Sequence, residues 1–231
     1  MRAIVLAAGK GLRLNPFTKE EPKCMLTVGS ESIIQRLIRI IHSEGIEDIV
    51  VVVGYQKELL KAHLPEGVRF RDYTDFETTN NFHTLWSVRD ELDCSFLCIF
   101  ADVLIQPGAL RRLLMCPRDI SLMVDTRQRL EQTMRIKIQS GCIESVGSHI
   151  VPDVADGNFV GISKFSKAGA EMLVSQMRIM AGSHFQDYYT IAIDQLAKQS
   201  MLVGYVDIGD MPWAEVDTLN DWERAKTLFA S

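Results

Sequence analysis

The stretch Arg2-Ala3-Ile4-Val5-Leu6-Ala7-Ala8-Gly9-Lys10-Gly11-Leu12-Arg13 decides the reading of the whole chain. Within residues 2–7, Arg2 is followed by an unbroken run of small and aliphatic side chains, the composition of a strand buried on both faces and hence of a sheet covered by helices. The run gives way to Gly9 and Gly11, where backbone N–H groups can approach an anion with no side chain in the way. Ala7 and Ala8 leave room for a flat base against the strand end. Arg13 and Lys23 bring two cations to the loop: a guanidinium that can grip phosphate oxygens bidentately and a compact point charge. A Gly-x-Gly turn with two solvated cations is an equally ordinary surface feature, so the loop acquires meaning only from its surroundings.

Outward from this loop, strand-like and helix-like segments alternate. The spacing of Ile34, Leu37, Ile38 and Ile41 predicts a helix over 32–44, stopped by Gly45. The Val-rich run at 48–53 reads as a second buried strand. A helix over 56–64, a short strand over 68–72, a helix over 80–92 and an apolar strand over 95–100 follow, then a helix over 107–116 and a strand over 120–124. Short strands at 133–139 and 142–147 around Ser140-Gly141 predict a hairpin. A strand over 159–165, helices over 167–180 and 186–198, a strand over 201–206 and a helix over 218–230 complete the pattern. The expected fold is α/β: a Rossmann-like, mixed, mostly parallel sheet flanked by helices, with a small β-rich substrate-side elaboration in the second half.

Composition narrows the classes. Hydrophobic side chains make up 47% of the chain, which excludes a mostly disordered one. A net charge of −5 lacks the broad basic field of a non-specific nucleic-acid binder. No apolar stretch approaches the roughly 18 residues of a membrane span, so no membrane insertion is expected. The start of the chain lacks the order of a secretory signal, and a cytoplasmic location is the expectation. The cysteines Cys24, Cys94, Cys98, Cys116 and Cys142 form no Cys-x-x-Cys pair and read as structural thiols. His83, His149 and His184 share no ligand spacing and read as structural or surface groups.

Leu6, Ala7, Ala8, Gly9, Gly11, Arg13, Pro16, Thr18, Pro22, Lys23 and Leu26 together resemble the signature of the sugar-phosphate nucleotidyltransferase superfamily, L-A-A-G-x-G-x-R followed by P-K. The likeness continues through the strand and Gly-Tyr exit of residues 44–55. It implies one nucleotidyltransferase domain over 1–231, with a nucleotide-binding core at 1–125, an acceptor-side portion at 126–217 and a C-terminal helix at 218–231. Leu6, Ala7, Ala8, Gly9 and Gly11 would hold the nucleotide, and Arg13 and Lys23 would be the catalytic cations. Asp102 follows the strand at 95–100, beyond whose carboxyl end ligands of open α/β sheets sit. It could cap a turn or hold Mg²⁺, and by resemblance it matches the metal-binding aspartate. Trp213-Ala214-Glu215-Val216-Asp217-Thr218 looks like the family's W-x-E-[IV]-D-T segment, which makes Asp217 the second metal ligand; its other reading is the N-cap of the last helix.

Thr79-Asn80-Asn81-Phe82-His83-Thr84-Leu85 looks like the T-N-N-x-x-[ST]-L segment of bacterial CTP:phosphocholine and phosphonoalkyl cytidylyltransferases. Asn80 and Asn81 could bind the edge of a pyrimidine or a ribose, or cap the helix that follows, or do both. The chain departs from that branch at Asn158, at Ser148 and at Thr190-Ile191. A quaternary ammonium wants an aromatic cage, which Tyr188, Tyr189, Phe185 and Trp213 could form, but the missing Trp and carboxylates near Tyr188 weigh against choline. Asp187 could bind a primary amine or begin a helix, and Arg135 could meet the acceptor phosphate or phosphonate or face solvent. The resemblance thus implies Mg²⁺-dependent transfer of CMP from CTP to a small phosphorylated or phosphonylated alcohol of the phosphocholine, phosphoethanolamine or 2-aminoethylphosphonate class, and it leaves room for a homodimer. A sugar-1-phosphate enzyme using UTP, dTTP or GTP, and a non-catalytic nucleotide-binding module, are the alternatives.

Overall fold

The protein is described here by a computed structural model covering residues 1–130 and 133–229. The first half contains β1 (Arg2–Ala7), β2 (Thr27–Val28), β3 (Glu31–Ser32), α1 (Ile33–Ser43), β4 (Asp48–Val53), α2 (Lys57–His63), β5 (Arg69–Asp72), α3 (Asn81–Ser87), β6 (Phe96–Phe100), β7 (Val103–Ile105), α4 (Pro107–Leu114) and β8 (Ile120–Asp125). The second half adds β9 (Arg135–Gln139), β10 (Cys142–Gly147), β11 (Gly157–Phe165), α5 (Lys167–Met180), α6 (Thr190–Lys198), β12 (Val203–Asp207), β13 (Trp213–Glu215) and α7 (Leu219–Leu228).

Among the described residues the main sheet has nine strands, in the order β10-β9-β11-β6-β1-β4-β5, with β8 joined to β11 and β12 joined to β8. Strand β1 lies between two parallel neighbours, with Leu6 opposite Phe100 of β6 and Ala7 opposite Val53 of β4. All three strands are buried on both faces, as their uninterrupted apolar runs require. Their carboxyl ends therefore stand side by side where the strand order reverses, the place where open α/β sheets bind ligands. The expected hairpin forms as β9 and β10, and it continues the same sheet through β11.

The helices follow their local signals. Helix α1 starts with a capping box between Ser32 and Gln35; it buries Ile34, Leu37, Ile38, Ile40 and Ile41 in the main core and Ile33 in a smaller cluster with Leu26, Val28 and Val216. The helix expected over 80–92 ends at Ser87 and gives way to a single 3₁₀ turn at Arg89–Glu91. The last helix runs Leu219–Leu228; residue 230 of its expected span lies outside the described residues. Strands β7 and β13, too short to leave a pattern in the sequence, pair antiparallel with Val103 opposite Glu215, and the Val216 N–H donates to the Asp102 carbonyl at 3.1 Å. This small ladder brings position 217 beside position 102.

Candidate active site

A cleft of about 550 Å³ opens over the carboxyl ends of β1 and β6. Leu6, Ala8, Gly9, Gly11, Arg13, Lys23, Asn80, Asn81, Asp102 and Asp217 all line it, drawn from five separate parts of the chain. Ala7 is buried within β1, outside the cleft wall. The glycine loop is braced from behind. The Tyr55 N–H donates to the Ala8 carbonyl at 3.0 Å, and a Cβ on Gly54 would come within 2.8 Å of that same oxygen, so only glycine lets the two segments meet. At Gly11 the backbone is left-handed with φ +63°, and a Cβ there would sit 2.9 Å from Lys23 Cβ. The bare loop thus packs directly on the lysine stem.

Lys23 and the two aspartates form one ion-paired cluster. The Lys23 ammonium donates to Asp217 Oδ1 at 2.7 Å and also contacts Asp102 Oδ2. Arg13 pairs with the other Asp217 oxygen at 2.8 Å. Burial works against the lysine charge, but Asp102 and Asp217 outweigh it, and Lys23 is held above its ordinary value and fully protonated. Burial likewise opposes ionisation of Asp217, but Lys23 and Arg13 more than offset it and keep its carboxyl below the usual range. The neighbouring thiol of Cys24 is pushed up to about 12 by burial and by Asp102, which makes it a packing group.

Asp217 does not cap the last helix. Thr218 does, in a capping box with Asp221, which leaves the Asp217 carboxylate to the cleft. Among the described residues no group of three or more His, Cys, Asp and Glu side chains stands at metal-binding spacing. Asp102 Oδ1, however, is buried with no hydrogen-bond partner. One unpaired carboxylate oxygen beside a second carboxylate suits a hard cation that takes one or two carboxylates and completes its shell with phosphate and water.

Glu215 joins the cluster without having been singled out from the sequence. It lines the cleft two residues before Asp217 in an extended segment, a period-two relationship that places both side chains on one face. Burial and the charges of Asp102 and Asp217 push its carboxyl well above the usual range, despite Lys23 and Arg13. The surroundings thus push the two carboxyls in opposite directions, Glu215 upward and Asp217 downward.

Both asparagines serve structure as well as lining the cleft. Asn80 Oδ1 accepts the Asn81 N–H at 2.8 Å and caps α3, while Asn81 Oδ1 accepts the Tyr189 N–H at 2.9 Å. With Asn80 N–H on the Phe185 carbonyl, these bonds tie the entrance of α3 to the segment before α6.

The acceptor-side expectations divide. A recess of about 340 Å³ adjoins the cleft and shares Arg13, Tyr188, Glu215 and Asp217 with it. Arg135 lines this recess, but it is buried and its guanidinium donates to the carbonyls of Leu130 and Ser148, each at 3.0 Å, and to that of Ile150. Its charge thus braces the loops around it. Tyr189 is placed differently from the expectation: it is wholly buried and its hydroxyl shares a hydrogen bond with Ser163 at 2.6 Å, so Tyr188 takes the position on the cleft. Trp213 is also buried, its Nε1–H donating to Asp125 at 2.8 Å, and it lines not the cleft but another cavity that shares Glu215 and Asp217 with it. Asp187 pairs with His184 at 2.7 Å and faces a third cavity beyond the recess.

The chain also has relatives among known proteins. The nucleotidyl transferase family profile matches residues 2–115. A choline-phosphate cytidylyltransferase of Streptococcus pneumoniae is 30% identical over 99% of this chain and 98% of its own length. A CTP:phosphoglutamine cytidylyltransferase of Campylobacter jejuni is 28% identical over 96% of this chain and 98% of its own. Among solved structures, the CTP:phosphocholine cytidylyltransferase of Streptococcus pneumoniae superposes with a TM-score of 0.80 at 23% identity, covering 98% of each chain, a likeness of fold. With the glycine loop, the two cations and the paired aspartates assembled in one cleft, the chain belongs to the nucleotidyl transferase family.

Proposed function

We propose that this protein transfers the cytidylyl group of CTP to the phosphate or phosphonate oxygen of a small phosphorylated or phosphonylated alcohol. The observation that carries the reading is the meeting of Arg13, Lys23, Asp102 and Asp217 in one ion-paired cluster beside the glycine loop. The choice of CTP, and of a phosphorylated acceptor, is supported by two near-full-length relatives that are both named as cytidylyltransferases.

In the proposed reaction an acceptor oxygen attacks the α-phosphorus of CTP. A new P–O bond forms, the bond from the α-phosphorus to the bridging oxygen breaks, and pyrophosphate leaves with that electron pair. The nucleophile is already an anion and needs no general base. Catalysis then consists of positioning and charge neutralisation. Lys23 neutralises the α-phosphate and the incoming acceptor, and Arg13 the β- and γ-phosphates. Backbone N–H groups at Gly9–Gly11 hold the triphosphate. Asp102 and Asp217 would hold Mg²⁺, which when bound adds positive charge against the phosphate oxygens.

Pyrophosphate release with Mg²⁺ tests the reading. CTP is offered against UTP, dTTP and GTP, each with phosphocholine, phosphoethanolamine, 2-aminoethylphosphonate and glucose-1-phosphate. Turnover confined to CTP with a non-sugar acceptor is expected. Turnover only with glucose-1-phosphate would overturn it in favour of a sugar-1-phosphate enzyme.

A further inference from the structure

The loop that follows β1 holds a row of unused donors. Among the described residues, the N–H groups of Gly9, Lys10, Gly11, Leu12 and Arg13 donate to no other group, and all five residues line the cleft. An amide N–H and the carbonyl that precedes it lie antiparallel in one rigid peptide plane. The direction of the Gly11 carbonyl therefore decides the direction of the Leu12 N–H. That carbonyl accepts two bonds. The Leu14 N–H reaches it at 3.0 Å, and the Thr18 hydroxyl donates to it at 2.8 Å. Thr18 is 2% exposed and lies outside the cleft wall. The oxygen is thus drawn to the buried side of the loop, and the Leu12 N–H is left facing the opposite, open side.

The second anchor matters because the hinge is a glycine. Gly11 sits at φ 63° and ψ 39°, and a residue without Cβ lets the next peptide plane turn over at little steric cost. Turned over, that plane would present a carbonyl oxygen to the cleft in place of a donor, and a triphosphate oxygen would meet repulsion there. Thr18 is itself held in place. The carbonyl of the next residue, Lys19, accepts the Tyr55 hydroxyl at 2.5 Å, while the Tyr55 N–H donates to the Ala8 carbonyl at 3.0 Å. Both ends of the loop are thus fastened to one tyrosine.

We propose that Thr18 is a positioning residue of the triphosphate loop: its hydroxyl fixes the Gly11–Leu12 peptide so that the Leu12 N–H donates to a phosphate oxygen of the nucleotide. The inference rests on the nucleotidyl-transfer reading and deepens it. It concerns the phosphates and not the base, so it holds for whichever nucleoside triphosphate the cleft takes.

The test is titration of the full chain with CTP and Mg²⁺, and separately with cytidine, followed by amide NMR. Thr18→Val keeps the shape of the side chain and removes the hydroxyl. It is expected to weaken CTP binding about tenfold, the effect of losing one hydrogen bond to a charged group, and to leave cytidine binding unchanged. Thr18→Ser restores the donor and is expected to bind CTP as the parent does. In the parent itself, which needs no variant to fold, the Leu12 N–H is expected to exchange freely without nucleotide and to be protected once CTP is bound. The proposal is overturned by a Thr18→Val variant that binds CTP as tightly as the parent, by equal weakening of CTP and cytidine, by failure of Thr18→Ser to match the parent, or by a Leu12 N–H that nucleotide leaves untouched. A parent that binds UTP, dTTP or GTP in place of CTP removes the cytidylyl reading alone, and the same comparison is then made with that nucleotide and its nucleoside. A parent that binds none of the four overturns both.

Discussion

The Lys23 ammonium lies 2.7 Å from Asp217 Oδ1, across 194 positions of sequence. With Arg13 on the other oxygen, both sides of one carboxylate are occupied by the two cations assigned to the phosphates. The same carboxylate that would hold a metal thus preorganises the positive charge of the cleft. It does so at the rim of a loop whose glycines leave space for a triphosphate.

Lys23→Ala removes a charge from where the proposed transfer would place its transition state. Turnover is expected to fall by about 10²–10³-fold, in the range of losing one preorganised electrostatic partner. The thermal midpoint is expected to shift by only a few degrees, roughly what 1 kcal/mol does to a domain of this size. Steady-state pyrophosphate release and thermal melts check this, and a fall in turnover no larger than the stability loss would contradict the catalytic role.

Asp102→Asn keeps the shape of the side chain and removes its charge. Metal-dependent turnover is expected to disappear, and calorimetric Mn²⁺ binding in the presence of CTP is expected to weaken at least tenfold. Unchanged Mn²⁺ affinity would show that Asp102 is not a ligand.

Glu215 makes stability depend on pH. Its folded carboxyl binds a proton more tightly than the unfolded one, whose titration lies near ~4.3. That contribution is complete below the unfolded value and is lost as pH rises toward the folded one. Glu215→Gln is therefore expected to melt increasingly above the parent as pH rises from about 5 to 8. A constant difference across thermal melts in that window would refute the assignment.

Gly9 and Gly11 separate binding from folding. Gly11→Ala meets both a left-handed φ of +63° and Lys23 Cβ at 2.9 Å, and is expected to destabilise by about 1–2 kcal/mol. Gly9 has nothing within 4 Å of an added Cβ, so Gly9→Ala is expected to fold normally and to weaken CTP binding alone. Denaturant unfolding and CTP titration on the two variants read the two effects independently.

The adjacent tyrosines divide in the same way. Tyr189→Phe leaves Ser163 without its buried partner and is expected to cost about 1 kcal/mol of stability with no change in acceptor KM. Tyr188→Ala is expected to raise acceptor KM severalfold at unchanged CTP affinity, because Tyr188 alone of the pair faces the recess. A reversed pattern would put the acceptor elsewhere.

The central strands, their order of appearance and the glycine loop with its two cations were legible in the amino-acid sequence. Each rests on a local pattern: an unbroken apolar run at 3–7, at 49–53 and at 96–100, helical spacing through Ile34–Ile41, and glycines at a strand exit. Local patterns reflect how each segment must bury its own side chains, and that is set by the segment itself. What the sequence could not show depends on long-range pairing. The three-residue ladder of β7 and β13, too short to leave a periodicity, carries Asp217 to Asp102 and brings Glu215 into the same cluster. The tertiary structure alone decided that Thr218 rather than Asp217 caps α7, that Asn80 and Asn81 clamp α3 to the segment before α6, and that Tyr188 rather than Tyr189 reaches the recess beside the cleft. A carboxylate, an amide and a phenol each have a structural and a chemical use. Which one is realised depends on the donors, acceptors and space that distant parts of the chain supply after folding.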